Sequence, residues 1–520
     1  MANDKWMNGA RAVAFAICAA AAAPGALNAA EPMSTAEIVV DCSTVIGPVK
    51  PMNAVNNGPA VKSPAGDQKR GNFDDFRAAR IPFARTHDAN LCTGYGAPHT
   101  VDINAVFPDF NADETDPKNY DFVCTDSYLD SIRRAGAEVF FRLGQSIEHG
   151  PKKYGSLPPK DFAKWARVAE RVIRHYNEGW GWGVDDSLTT ANTAWSNQFG
   201  IVYWELWNEP DLDPSDKVLP KNPRCWGGTV TNFFQFYEIA AKHLKAEFPA
   251  LKIGGPAVCG REDWARRFLA YCRDNEVPLD FFSWHIYSTN PRLMAEKAGR
   301  IRKMLDDAGY VKTESILNEW NYVKGWGDDW VHSLEVESGR FNQKGAAFTA
   351  AAMVDCQNAP VDMLMYYDAR INSAMNGMFD ATTLWPKKGY YPFYAWSKLA
   401  DRGVQVACKV REGRGAKSGA ATGVVFNDSL KTRPDGQFRA VAAKGADGSV
   451  AVLVVRYAPS NDVTDTGLAV LRVPGKSFAL ARCHVTDAVR TYTETPLEVG
   501  ADGSATLRMM SDSFALIELD

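Results

Sequence analysis

The stretch "IVYWELWNEPDL", residues 201–212, sets two carboxylates, Glu205 and Glu209, into a run of aliphatic and tryptophan side chains. Ionised groups in so apolar a setting are costly unless they are paired or used. Paired carboxylates can act as acid and base, or as acid and nucleophile, in cleavage of a glycosidic bond. The run reads as a strand, so Glu205, Trp207 and Glu209 share one face, and four residues of rise separate the glutamates by about 13 Å. That exceeds the roughly 5–5.5 Å of a retaining pair and the roughly 6.5–9.5 Å of an inverting pair. The spacing therefore divides them. Glu209, at the strand end beside Pro210, is placed to meet a substrate; Glu205 lies deeper and is expected to pair with Arg85 or Arg142.

Glu209 then needs a partner from elsewhere, and "ILNEW" offers Glu319. It too ends an apolar run and follows an asparagine, Asn318, as Glu209 follows Asn208. The two glutamates are 110 residues apart, on strands four and seven when a first strand is counted ahead of "IPFART". Strands three apart in an eight-stranded barrel can aim their ends across the central mouth. One carboxyl kept protonated and one kept ionised would supply an acid and a nucleophile. A lone Asn-Glu step is usually a solvated surface pair; two of them at strand ends favour catalysis.

The elements that must position these groups are legible as alternating patterns. Seven apolar runs read as strands: "IPFART", "AEVFFRLG", "GIVYWELW", "LKIGGPAV", "LDFFSWHIYS", "ESILNEW" and "VDMLMYYD". An eighth is expected from "AEIVVDC" or the stretch just after it. Between them "DFAKWARVAERVIRHY", "TNFFQFYEIAAKHLKAEF" and "KAGRIRKMLDDAGY" repeat apolar residues at helical spacing. Strands apolar throughout, alternating with helices, call for a parallel sheet covered on both faces, here an α/β (β/α)8 TIM barrel. A doubly wound sheet is the alternative, but no glycine-rich phosphate turn follows the first strand. Beyond residue 400 the period drops to two, and "GADG" recurs at 445–448 and 500–503 as turn chemistry between strands. The expected organisation is a signal peptide over 1–30, a catalytic barrel over 31–400 whose first strands can join the second unit, and a C-terminal antiparallel β-sandwich over 401–520.

Lys5 and Arg11 precede the apolar run "AVAFAICAAAAAPGAL", which gives residues 1–30 the form of a secretory signal and predicts export to the periplasm or medium. The run is too short and too broken by Pro24 and Gly25 for a membrane span. The chain carries a net charge of −4. That balance does not favour nucleic acid or an anionic membrane surface and suits a neutral or weakly charged substrate. Nine cysteines outside residues 1–30 are widely spaced; a Cys92–Cys124 bridge is conceivable, but no spacing supports it. CxxC, HExxH, EF-hand and GxSxG patterns do not occur, so neither metal nor cofactor is expected.

"ELWNEPDL" resembles the acid/base motif of glycoside hydrolase family 39, a family of (β/α)8 glycosidases that includes β-xylosidases and α-L-iduronidases. The similarity continues through "RTHDA", "YDFVCTDSYLDSIRRAGAEVFFRLG", "KIGGPA", "HIY", "LNEW" and "GYYPFYAWSKL". The resemblance implies a retaining double displacement with Glu209 as acid/base and Glu319 as nucleophile. It implies that Asn208 meets the sugar 2-hydroxyl, that Arg85 stands near the nucleophile and that His87 binds sugar. His285 and Tyr287 match a strand-six pair whose tyrosine supports the nucleophile. Trp320 and Trp385 are candidates for sugar stacking, with core packing equally open. Asp211 departs from the asparagine common at that position, and "GMFDATTLWPKKGYY" matches loosely. Since such loops line the pocket, the sugar is the least secure part of the transfer. The expected substrate is an oligosaccharide or glycoside, with β-xylosidase activity first and arabinosidase or galactosidase activity as alternatives. A carbohydrate-binding protein on an inactive scaffold is the competing class; it would have lost one of the carboxylates, and both are present.

Overall fold

The computed structural model describes residues 34–60, 70–87, 99–182, 199–213, 215–326, 339–371, 373–414 and 437–520. Residues 1–30 and Cys92 lie outside them. Cys124 is exposed, and the eight described cysteines are free thiols.

All seven apolar runs become parallel strands of one closed barrel. They are β3 (Phe83–Thr86), β4 (Glu138–Leu143), β5 (Tyr203–Leu206), β6 (Lys252–Val258), β7 (Phe281–Ser288), β8 (Glu314–Tyr322) and β9 (Met363–Tyr366). The eighth is β2, Ala54–Asn56, which closes the ring against β9. "AEIVVDC" goes elsewhere, into β1, Ser34–Pro48. Its burial alternates, with Ala36, Ile38 and Val40 buried and Glu37 half-buried between them, whereas all three residues of β2 are buried. Alternation suits a sheet with one wet face; a barrel wall between helices and interior needs burial on both.

β1 lies inside a ten-stranded sheet, antiparallel to β10 (Val404–Arg414) and parallel to Thr466–Arg472. The other neighbouring strands of this C-terminal unit pair antiparallel. Both "GADG" turns close identically: Gly448 and Gly503 stand at φ 85° and 74°, and Asp447 and Asp502 accept from the backbone N–H and hydroxyl of the serine two residues on.

Period-two strands fill the barrel in layers. The lowest is apolar, formed by Ala54, Phe140, Tyr203, Phe281, Ile316, Met363 and Met365 with Phe83 against it. Two residues further along six of these strands stand Asn56, Arg85, Arg142, Glu205, Ser283 and Asn318, all wholly buried. Glu209 and Glu319 sit above this polar layer, toward the C-terminal strand ends. Helices wrap the outside; Phe162–Glu178 begins at Asp161, whose carboxylate accepts from Lys164 N, and ends at Gly179 in the left-handed region.

The sheet is fastened to the barrel by buried polar contacts. Lys344, on the helix Gln343–Gln357, donates from Nζ to Ala458 O at 2.6 Å and faces Asp512 at 3.3 Å. Arg439 pairs with Asp355 at 2.9 Å. Removing one partner of such a pair leaves the other buried and unpaired. Lys344→Met should therefore lower stability to urea by about 2–4 kcal/mol, whereas the exposed Lys303→Met should be near neutral, both read from denaturation midpoints.

Candidate active site

Arg85 is the hub of the cluster. From β3 it donates Nε to Glu205 Oε2 at 2.6 Å and Nη1 to Glu319 Oε1 at 2.7 Å. Nη1 also reaches Asn56 Oδ1 at 3.0 Å, and Nη2 reaches Asn208 Oδ1 at 2.7 Å. Glu205 thus pairs with Arg85 and not with Arg142, whose Nη2 binds Asp102 at 2.6 Å and Ser146 at 2.6 Å. The second carboxylate oxygen of Glu205 accepts from Ser283 Oγ and Asn318 Nδ2, each at 2.5 Å. No part of Glu205 is exposed, so it cannot meet a substrate.

Glu319 receives contacts on both oxygens. Arg85 and His87 (Nε2, 3.1 Å) hold Oε1, while Tyr287 donates its hydroxyl to Oε2 at 2.8 Å. Burial pushes the Glu319 carboxyl up. The imidazoles of His285 and His87 and the Arg85 guanidinium outweigh it and hold the group well below the usual carboxylate range. Burial, then the charge of Glu319, pushes the Tyr287 phenol well above its ordinary value, so it stays a donor. His285 Nδ1 lies 2.8 Å from Glu209 Oε1 and 3.5 Å from Glu319 Oε2, between the two carboxylates. Buried Lys297 holds the backbone of His285 through its carbonyl at 2.7 Å.

The loop after β5 aims Glu209. Trp207 and Glu209 adopt φ of 77° and 48°, left-handed values that non-glycine residues rarely take. Several contacts hold this conformation. Trp207 N donates to Leu143 O, its indole N–H donates to Cys225 O at 2.9 Å, and Glu209 N donates to Ala257 O at 3.0 Å. The Trp207 ring packs among Trp165, Trp226 and Phe236. It also lies over Gly144, where an added Cβ would come within 2.7 Å of it. Asp211 accepts from the backbone N–H groups of Cys259, Gly260 and Arg261, which ties the loop to the end of β6.

Seven of the nine predicted residues therefore converge: Arg85, His87, Asn208, Glu209, His285, Tyr287 and Glu319. The two tryptophans do not join them. Trp320 follows Glu319 on β8 and so points to the opposite side, where it is wholly buried against Phe348 and Tyr366. Trp385 is 59% exposed, with the Arg70 guanidinium 4.5 Å from its ring centre. Asn56, Ser283 and Tyr367 belong to the cluster and were missed. A serine inside the apolar run "LDFFSWHIYS" was the available signal for Ser283; Tyr367, 5.6 Å from the His87 ring, had none.

Chemically, the arrangement offers two carboxylates of different surroundings at the floor of a barrel mouth. Glu209, His285 and Glu319 place one ligand atom each within 4.8 Å of one another, close enough for a cation. The Arg85 guanidinium already supplies positive charge there. A cavity of about 240 Å³ is lined by Trp207, Gly144, Phe107, Phe110 and Trp165 among others, and none of the seven converging residues lines it.

Residues 100–362 match the sequence model of Glycosyl hydrolases family 39. A β-xylosidase of Geobacillus stearothermophilus is 30% identical over 179 residues, 33% of this chain and 31% of the relative. A β-xylosidase of Caldicellulosiruptor saccharolyticus is 25% identical over 271 residues, 48% of each chain. The chain thus spans less than half the length of these curated relatives. Among solved structures, a glucosidase from Croceicoccus marinus superposes with a TM-score of 0.66 at 20% identity, covering 93% of this chain and 99% of that one. The family 39 enzyme of Xanthomonas axonopodis pv. citri gives 0.59 at 16% identity, covering 96% and 99%. These structures share the fold.

The placement of Trp320 has a measurable consequence. Trp320→Ala should cost about 3–5 kcal/mol of stability as a buried aromatic deletion, and Trp385→Ala should cost under about 1 kcal/mol, its ring being largely solvated. Thermal or urea unfolding of the two variants checks both.

Proposed function

The chain belongs to glycosyl hydrolases family 39, and from that membership we propose that it cleaves glycosidic bonds with retention, Glu209 acting as acid/base and Glu319 as nucleophile. The observation that carries the reading is the spacing: an oxygen of each carboxylate lies within 4.8 Å of the other, with His285 between them. A retaining pair needs about 5–5.5 Å, and an inverting pair needs room for a water molecule at about 6.5–9.5 Å. Glu319 attacks the anomeric carbon while Glu209 protonates the departing oxygen, giving a glycosyl-enzyme ester. Water, deprotonated by Glu209, then attacks the same carbon and releases Glu319. Arg85, His87 and Tyr287 keep Glu319 ionised and fixed. Asn208 spends its Oδ1 on Arg85, which leaves its buried Nδ2 without a partner among the described residues and able to donate to the sugar 2-hydroxyl.

The two sequence relatives point to β-xylosides as substrates. Nitrophenyl β-xyloside, α-arabinoside, β-galactoside, β-glucoside and α-iduronide, assayed side by side, test that choice; a preference for any other member replaces it. Glu209→Gln and Glu319→Gln should each lower turnover by a factor of about 10² or more while circular dichroism stays unchanged. Either variant within tenfold of the parent protein overturns the assignment. Azide should restore turnover to Glu319→Gly with an inverted glycosyl azide as product.

The charge arrangement fixes a pH dependence. A carboxyl held below its unfolded value contributes stability that is full above that value and is lost as pH falls through the folded one. The same sign applies to kcat/KM, whose acid limb reports the free enzyme. Arg85→Met removes a neighbouring cation, so Glu319 must take up its proton at higher pH. The acid limb should move up by about one pH unit or more; an unmoved limb would assign the effect to the histidines alone.

A further inference from the structure

The cavity of about 240 Å³ that Trp207 lines contains none of the groups gathered around Glu319. Its buried walls are apolar and largely aromatic. Trp207, Trp165 and Phe107 are almost wholly buried there, with Ile103 and Phe110 beside them. A concave, mostly apolar surface with a few polar groups at its edge is the usual form of a small-molecule site. An apolar cavity of about 150 Å³ is enough to hold benzene, so the volume here takes one aromatic ring with a short substituent.

The segment after β4 forms another wall, and its shape is set by a buried carboxylate. Glu148 accepts from Tyr154 N at 2.8 Å and Gly155 N at 3.0 Å on one oxygen, and from Ser156 N and Oγ on the other. Gly155 lies so close to Gln145 that an added Cβ would stand 2.0 Å from its Oε1. A cavity held in this way needs little reordering to receive a ligand. Two ammonium groups line its edge. Lys153 donates from Nζ to the carbonyls of Glu148 and Gly150, which fixes its charge in place without neutralising it. Lys160 is exposed and makes no hydrogen bond or ion pair among the described residues. Lys164, one turn further along, is different: Glu114 matches its charge at 3.3 Å. Aromatic walls and two unmatched cations therefore meet in one cavity, while the Glu148 carboxylate is already occupied by its own donors.

We propose that this cavity binds a small aromatic carboxylate, with its ring among Trp165, Trp207 and Phe107 and its charge toward Lys153 and Lys160. The proposal is independent of the hydrolase reading. Trp207 directly precedes Asn208 and Glu209, so a bound ring would brace the loop that carries them.

Calorimetry on the whole protein tests the site, with benzoate as the probe and benzamide as its neutral counterpart of nearly equal shape. Benzoate should bind with a Kd of about 2 mM or tighter, and benzamide at least about threefold more weakly. Lys160→Glu reverses a charge on an exposed, unpaired side chain and leaves the fold intact. It should weaken benzoate by at least about threefold and leave benzamide within about twofold. Tyr154→Ala takes one ring from the edge of the cavity and should weaken both probes alike. A weaker Kd for benzoate, equal affinities for the two probes, or an unmoved value in Lys160→Glu each overturns the proposal. Displacement of benzoate by xylose also overturns it, because the probe would then sit at the barrel mouth.

Discussion

The guanidinium of Arg85 is wholly buried, and its three nitrogens are divided among Glu205, Glu319, Asn208 and Asn56. A buried charge of this kind persists only if its donors are matched by acceptors. Glu205 is the principal match: burial alone would weaken the cation, and the charges of Glu205 and Glu319 reverse that and raise its pKa. Glu205 is in turn held by Ser283 and Asn318, and Asn56 donates to the carbonyl of Asn318 at 2.7 Å. One polar layer therefore joins β2, β3, β5, β7 and β8 beneath Glu209 and Glu319. Lysine could not replace this arginine, since a single ammonium lacks the planar fork that reaches four partners in different directions.

This layer explains why two glutamates four residues apart have opposite fates. Glu205 lies on β5 and faces the interior, whereas Glu209 stands three residues beyond the strand, in a loop whose left-handed residues turn it to the mouth. The lower one neutralises the cation that holds Glu319; the upper one reaches the mouth. An ion pair at the floor is thus part of the geometry at the surface, although no substrate touches it.

Much of this was legible because barrel strands carry a strong signal: short, largely apolar runs that alternate with helical patterns. The seven runs, the alternation with helices and the two Asn-Glu steps follow from it. β1 and β2 were harder. Both segments are apolar, and only the alternation within Glu37–Val40 against the full burial of Ala54–Asn56 tells a half-wet sheet from a barrel wall. Arg85 and Arg142 were equivalent partners for Glu205 in sequence, because the choice depends on Asp102 and Ser146, supplied by segments outside the strands. Trp320 was ambiguous for a similar reason: an aromatic next to a catalytic carboxylate looks like a sugar platform until the bulge in β8 and its alternation fix the direction of the side chain. Tyr367 stands where β9 gives way to a loop, beyond the reach of periodicity.

The loop after β5 shows how the remaining precision is obtained. Two non-glycine residues in the left-handed region cost roughly 1–2 kcal/mol each, a burden that an open loop would shed by relaxing. Here relaxation is blocked on every side. The Trp207 indole is enclosed by Trp165, Trp226 and Phe236 and rests on a glycine with no room for a Cβ. Asp211 binds three successive N–H groups on the neighbouring strand end, a task for which a carboxylate is better suited than an amide because both of its oxygens accept. Asp211 is therefore part of the clamp on this loop. Trp207 and Asp211 flank Asn208 and Glu209 on either side, so the packing of one and the hydrogen bonds of the other set where the Glu209 carboxyl stands relative to Glu319.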